Sequence, residues 1–152
     1  GNIVDVWEKF NKENIYIDLG SDQTSLHNPW AGGYYPVGLT FDESNKLMTS
    51  DPNLFIIKVK ESVIWHTNAI EKHTKKGTYF FDYGNAFLLE ASRAGADIMK
   101  SDKVTFKYPS YVQDIMGDIF SAKKLFLIFI LLSFLLLLME QHGLLIWLLE
   151  EG

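Results

Sequence analysis

Apolar positions recur along the first two thirds of this chain with periods that switch between helix and strand. Val4, Trp7 and Phe10 fall on one side of an amphipathic helix over Val4–Lys12. Ile15-Tyr16-Ile17-Asp18-Leu19 is β-branched and aromatic, which predicts a short buried strand broken by Gly20-Ser21-Asp22. From Gln23 to Pro36 the chain is rich in Gly, Pro, Asn, Ser and Tyr and keeps neither period, so it reads as loop. Thr40 is placed to cap a short helix through Met48, with Asp42 and Glu43 in its first turn. Asp51-Pro52 starts a second helix, a capping carboxylate followed by proline at the first helical position. That helix is predicted to run to about Lys75, with Phe55, Val59, Val63 and Ile70 on one face and Ile56 and Trp65 widening it.

Gly77 ends the long helix. Thr78-Tyr79-Phe80-Phe81 then reads as a strand and Asp82-Tyr83-Gly84-Asn85 as a turn. A helix follows over Ala86–Ala94, stopped by Gly95. Val104–Lys107 suggests a further strand, and Ser110 a cap for a helix through Phe120. Strands alternating with helices predict an α/β layer with parallel strands.

Beyond Ser121 the pattern disappears. Leu125 to Met139 is apolar apart from Ser133. As a helix the run would reach roughly 22 Å, against about 30 Å of bilayer hydrocarbon. Extending it past Gly143 would bury Glu140. Three readings stay open: a short membrane helix, a helix packed on this domain or a partner, or translated sequence foreign to the fold, since Leu, Phe and Ile dominate without any period.

Composition narrows the chemistry. The chain has 152 residues, is 47% hydrophobic and carries a formal charge of −5. An acidic balance argues against a nucleic-acid partner, which needs a basic footprint. With no cysteine there is no disulfide framework, thiolate metal site or cysteine nucleophile. His66 and His73 lie about two turns apart on the predicted long helix, too far for a helical metal pair, so both read as structural and no metal is expected. Asp82 and Glu90 read as capping or salt-bridge groups, and Lys72, Lys75 and Lys76 as a solvated helix end. Taken alone, Gln23 to His27 reads as a polar loop bonding its own backbone, and Tyr34, Tyr35 and Tyr83 as turn packing.

Longer strings change that reading. Asp18-Leu19-Gly20-Ser21-Asp22-Gln23-Thr24-Ser25-Leu26-His27-Asn28-Pro29 resembles the signature of the urocanase family. Gly32-Gly33-Tyr34-Tyr35-Pro36, the run Asp82 to Glu90, Ala94-Gly95-Ala96-Asp97 and the run Tyr108 to Asp118 follow in the family's order. The resemblance covers about residues 3–120 and is closest to animal-type members. It implies an α/β fold: the end of a Rossmann-like NAD domain and its return into the urocanase core, over residues 1–120. Residues 121–152 would be an apolar, helical, non-family tail. It implies hydration of urocanate to 4-imidazolone-5-propanoate in histidine degradation, with NAD+ as electrophile rather than hydride carrier. It assigns NAD+ contacts to Gln23, Thr24, Ser25, Leu26, His27, Tyr34, Tyr35 and Tyr83. It further implies a cytoplasmic homodimer in the full-length family.

Where the pattern departs, the expectation weakens. Nothing matches G-x-G-x-x-G, so the pyrophosphate cradle lies elsewhere in the family. The match stops at Ser121, where many bacterial relatives carry an active-site Cys, and no catalytic residue is assigned. A start at Gly1 suggests an internal piece, inactive alone. The competing expectation is a non-catalytic truncated protein tethered to a membrane or partner by its apolar tail.

Overall fold

A computed structural model of the chain describes residues 2–24 and 26–116. Residues up to Asp114 form one compact unit. Helix α1 spans Ile3–Lys12, strand β1 Leu19–Asp22, helix α2 Phe41–Ser50, helix α3 Pro52–Thr74, strand β2 Tyr79–Asp82 and helix α4 Phe87–Ala94. A short 3-10 turn covers Pro29–Ala31 and a single π-helical turn covers Tyr111–Ile115.

Local chemistry sets the helix starts. Asn2 accepts the Val4 N–H at 2.9 Å and so caps α1. Thr40 and Glu43 form a reciprocal capping box on α2. Asp51 accepts the Leu54 N–H at 3.0 Å, with Pro52 pre-set for the first turn of α3. Gly95, at φ 89°, supplies the left-handed residue that ends α4.

The two strands run parallel, with Leu19 opposite Tyr79 and Asp22 opposite Asp82. Ser110 extends the sheet by one parallel bridge to Asp82. Helix α3 is the hub and packs against α1, α2 and α4. Its buried stripe includes Phe55, Val59, Val63, His66, Ile70 and His73. Phe80, Phe87 and Ile98 complete the core around it.

Four expectations need correction. The first strand is Leu19–Asp22, not Ile15–Leu19; Ile15 and Tyr16 are exposed. Gly20-Ser21-Asp22, expected to break a strand, is the strand. The reason is tertiary: a Cβ on Gly20 would meet the Trp7 ring at 2.6 Å, so only glycine lets β1 pass under α1. Trp65 does not widen the core face of α3 and is 57% exposed. It lies two residues past Val63, a turn of roughly 200° that carries it off the stripe.

Val104–Lys107 forms no strand, only an antiparallel bridge between Met99 and Phe106. Asp102 captures the Val104 and Thr105 N–H groups, each at 2.9 Å, and so competes with any sheet ladder. Finally, Ser110 does not cap a long helix. Its own N–H donates to Asp114 at 2.7 Å, and the helical turn ends at Ile115. The rest of that expected helix, and the tail from Ser121, lie outside the described residues. Among the described residues no helix is long and apolar enough to cross a membrane.

Candidate functional site

Both strands end on a buried aspartate. Asp22 and Asp82 are register partners, so the loops that follow leave from neighbouring strand ends. Carboxyl ends of parallel strands are where α/β sheets place ligands, because no helix covers them there.

Asp22 is 1% exposed and is held by hydrogen bonds rather than by a cation. Its Oδ1 accepts the Thr24 N–H at 3.0 Å, the Thr24 hydroxyl at 2.7 Å and the Asn85 amide. The Asn85 amide also donates to the Thr24 carbonyl at 2.6 Å, and its oxygen accepts the Phe87 N–H at 3.2 Å. Asn85 thereby joins the end of β1 to the first turn of α4.

His66 sits beneath, fully buried, stacked near Tyr34 at 6.3 Å and tilted on Phe87 at 4.8 Å. Its Nε2 lies 3.3 Å from Asp22 Oδ2, yet neither atom is aligned for a hydrogen bond. The attraction is therefore coulombic. Burial outweighs it and holds the imidazole down at about 4, so the ring is neutral at pH 7. Burial, with the nearby Asp22 charge, pushes the Tyr34 hydroxyl well up.

Asp82 differs from its neighbour. Burial pushes its carboxyl above the ordinary range, the Gly84 backbone opposes, Asp22 adds, and Asn85 and His27 oppose. Its Oδ1 is buried without a hydrogen-bond partner among the described residues. A cleft of about 330 Å³ opens here, bordered by His27, Asp82, Gly84, Ala86, Ser110 and Gln113.

The candidate residues divide. Gln23 and His27 are exposed at the strand ends, with Thr24 half-buried between them. Leu26 is fully buried and anchors the loop. Ser25 lies outside the described residues. Tyr83 is 50% exposed and stacks on Tyr111 at 5.5 Å and 6°. Tyr34 is set back on His66, 3% exposed, with its hydroxyl 3.5 Å from the Ser62 carbonyl. Tyr35 sits against α2, its hydroxyl donating to Asn45 at 3.3 Å and its ring tilted on Phe41. The structure thus gathers Gln23, Thr24, His27 and Tyr83 at one edge, and holds Tyr34 and Tyr35 apart from it.

Sequence reasoning passed over Asp22, Asn85 and His66 as parts of one network. A shared signal existed: each strand run ends in Asp and continues into polar residues. Asp82 was expected to cap or to form a salt bridge. It makes no ion pair among the described residues, whereas Glu90 pairs with Arg93 at 2.6 Å. Lys72 and Lys75, at the solvated end of α3, pair with Glu8 and Glu71. No described cluster of His, Asp and Glu could hold a metal ion.

Comparison with known proteins places this geometry in context. The family model described as the urocanase Rossmann-like domain matches residues 1–115. A probable urocanate hydratase of Caenorhabditis elegans is 58% identical over 80% of this chain and 19% of its own length. A probable urocanate hydratase of Dictyostelium discoideum is 60% identical over 80% of the chain and 18% of its own. The urocanate hydratase of Mus musculus is 55% identical over 80% and 19%. The chain therefore spans about a fifth of the length of these relatives.

Proposed function

We propose a function from one premise: this chain belongs to the urocanase family, whose Rossmann-like domain it matches. The reading is that residues 1–120 serve as part of a urocanate hydratase, a hydro-lyase that adds water to urocanate to give 4-imidazolone-5-propanoate. Histidine degradation in the cytoplasm and a homodimeric whole enzyme belong to the same reading. The observation that carries it is the pairing of Gln23–His27 with the Asp82–Ala86 turn at the open ends of two parallel strands. By this reading the part ends near residue 120, and residues 121–152 are foreign to the domain.

NAD+ is the proposed cofactor, and the edge suits it. The Gln23 amide and Thr24 hydroxyl donate and accept, His27 borders the cleft, and Tyr83 offers a flat ring with a polar tip. The unpartnered Asp82 oxygen awaits a donor such as an amide or hydroxyl. Leu26, being buried, would contribute through its backbone. Tyr34 would act from behind, as the wall that keeps His66 dry and neutral. When bound, the oxidised nicotinamide supplies an electrophile for the imidazole ring of urocanate. The chain's own task is to bind, orient and exclude water. The glycine-rich cradle would come from elsewhere in the whole enzyme.

A chimera tests this. Residues 1–115 replace the matching segment of the Caenorhabditis elegans relative, and consumption of urocanate is followed by its ultraviolet absorbance. An active chimera is expected. Gln23→Ala and His27→Ala are then expected to raise the Kd for NAD+ about tenfold each, the loss of about 1.4 kcal/mol. A folded dimeric chimera that leaves urocanate untouched overturns the reading.

A further inference from the structure

The two loops offered to a ligand belong to distant parts of the chain, and the sheet ladder that aligns them stops at Asp22 and Asp82. Beyond that point, among the described residues, the side-chain hydrogen bonds between the loops are both made by Asn85. One goes to the Asp22 carboxylate and the other to the Thr24 carbonyl, across sequence separations of 63 and 61. The third bond of the same side chain accepts the Phe87 N–H and so fixes Asn85 to α4. A primary amide is suited to this place. It offers two donors to two acceptors and one acceptor to a helix N–H, all from one planar group. Aspartate would set like charges together, and alanine would leave a buried carboxylate and carbonyl short of a donor.

We propose that Asn85 is a positioning residue that clamps the Gln23–His27 loop to the Asp82–Ala86 turn and so fixes how the cofactor-facing groups stand to one another. This deepens the reading that the edge takes NAD+, and rests on it. The support beneath is rigid as well. Asp22 receives three hydrogen bonds on one oxygen, and His66, packed between Tyr34 and Phe87, closes it from below. Ala86, at φ 70°, holds the backbone in the left-handed region next to Asn85, a strained conformation that a firm tie at Asn85 helps to maintain. Preorganised loops lower the ordering cost of binding, so a residue that touches no ligand can still set affinity.

The test uses amide hydrogen exchange by NMR on the full chain, with rates corrected for intrinsic pH dependence. In Asn85→Ala, protection at the Thr24 and Leu26 N–H groups is expected to fall about tenfold while Val63 and Ile70 in α3 stay within about twofold. In Asn85→Asp the same loss is expected at pH 8. Protection relative to the parent chain at the same pH should return towards pH 5, as a protonated Asp side chain regains a donor for Asp22. A purely space-filling role would give no such acid recovery. Unchanged Thr24 protection in Asn85→Ala overturns the clamp. Should that variant also open α3, Asn85→Asp decides, and the absence of acid recovery overturns it. A parallel NAD+ titration of the chimera, in which the glycine-rich cradle is present, separates the two claims. If Gln23→Ala and His27→Ala leave its Kd for NAD+ unchanged, the cofactor reading fails, and the exchange result alone judges the clamp.

Discussion

His66 and His73 share the buried face of α3, about two turns apart, yet they sit in opposite kinds of surroundings. His73 lies edge-on to Trp7 at 4.9 Å, and its Nε2 is 3.1 Å from the Trp7 carbonyl. A carbonyl only accepts, so that nitrogen carries the hydrogen, and the ring fastens α1 to α3. His66 has no aligned hydrogen bond among the described residues, and it faces Asp22 beneath the strand ends. Asp22 Oδ2 beside it is unmatched as well, as is Asp82 Oδ1 on the neighbouring strand end, although the Trp7 indole N–H at the apolar end is unmatched too. One histidine completes a core contact. The other belongs to a polar network that is satisfied only in part among the described residues.

The largest expected effect breaks the apolar end. Trp7→Ala removes the ring that covers Gly20, His73 and Phe80, and should cost about 3–5 kcal/mol in chemical denaturation. A loss below about 1 kcal/mol would mean that the α1–α3 contact carries little of the stability.

The next sharpens the polar end. An ordinary imidazole binds a proton near 6.5, while His66 in the fold does so only near 4. Between those values the unfolded chain holds more protons than the folded one. Stability contributed by the neutral ring is therefore intact above 6.5, falls as the pH drops through the window, and levels off below 4. The gap amounts to about 3 kcal/mol. His66→Phe should flatten this acid limb when denaturation midpoints are compared at pH 7 and pH 4.5.

The smallest effect is at His73. His73→Phe keeps an aromatic ring but deletes the bond to the Trp7 carbonyl, at a cost of about 1 kcal/mol in chemical denaturation at pH 7. An unchanged denaturation midpoint at pH 7 would mean that this bond adds nothing to the join between α1 and α3.

Much of the scaffold was legible along the chain because its signals are local. Thr40 with Glu43, Asp51 with Pro52, and Gly95 each satisfy or terminate helix backbone within a few residues, and the helices begin and end where those residues stand. The β1 strand was displaced in the reading because apolar Ile15 and Tyr16 look more like a strand than Gly20 and Ser21 do. What decides between them is the pairing with β2, sixty positions on, and the Trp7 ring that only a glycine at position 20 can pass. Val104–Lys107 failed for a local reason that was overlooked, the Asp102 side chain taking two backbone donors. At the site, the family strings pointed to Gln23, Thr24, His27 and Tyr83, and the strand ends bring these side chains to one edge. The same strings could not tell that Tyr34 is set back against His66, since its burial depends on α3.

The sequence by itself determined the starts of α2 and α3, the end of α4, the α/β alternation and the family, because caps, periodicity and long unusual strings are written in consecutive residues. Only the tertiary structure decided which strand residues pair, that Asp22 faces Asp82, and that one asparagine ties two loops together. Those facts depend on register across a parallel crossover, and register is fixed by packing between residues some sixty positions apart, such as the Asn85 and Thr24 pair at a separation of 61.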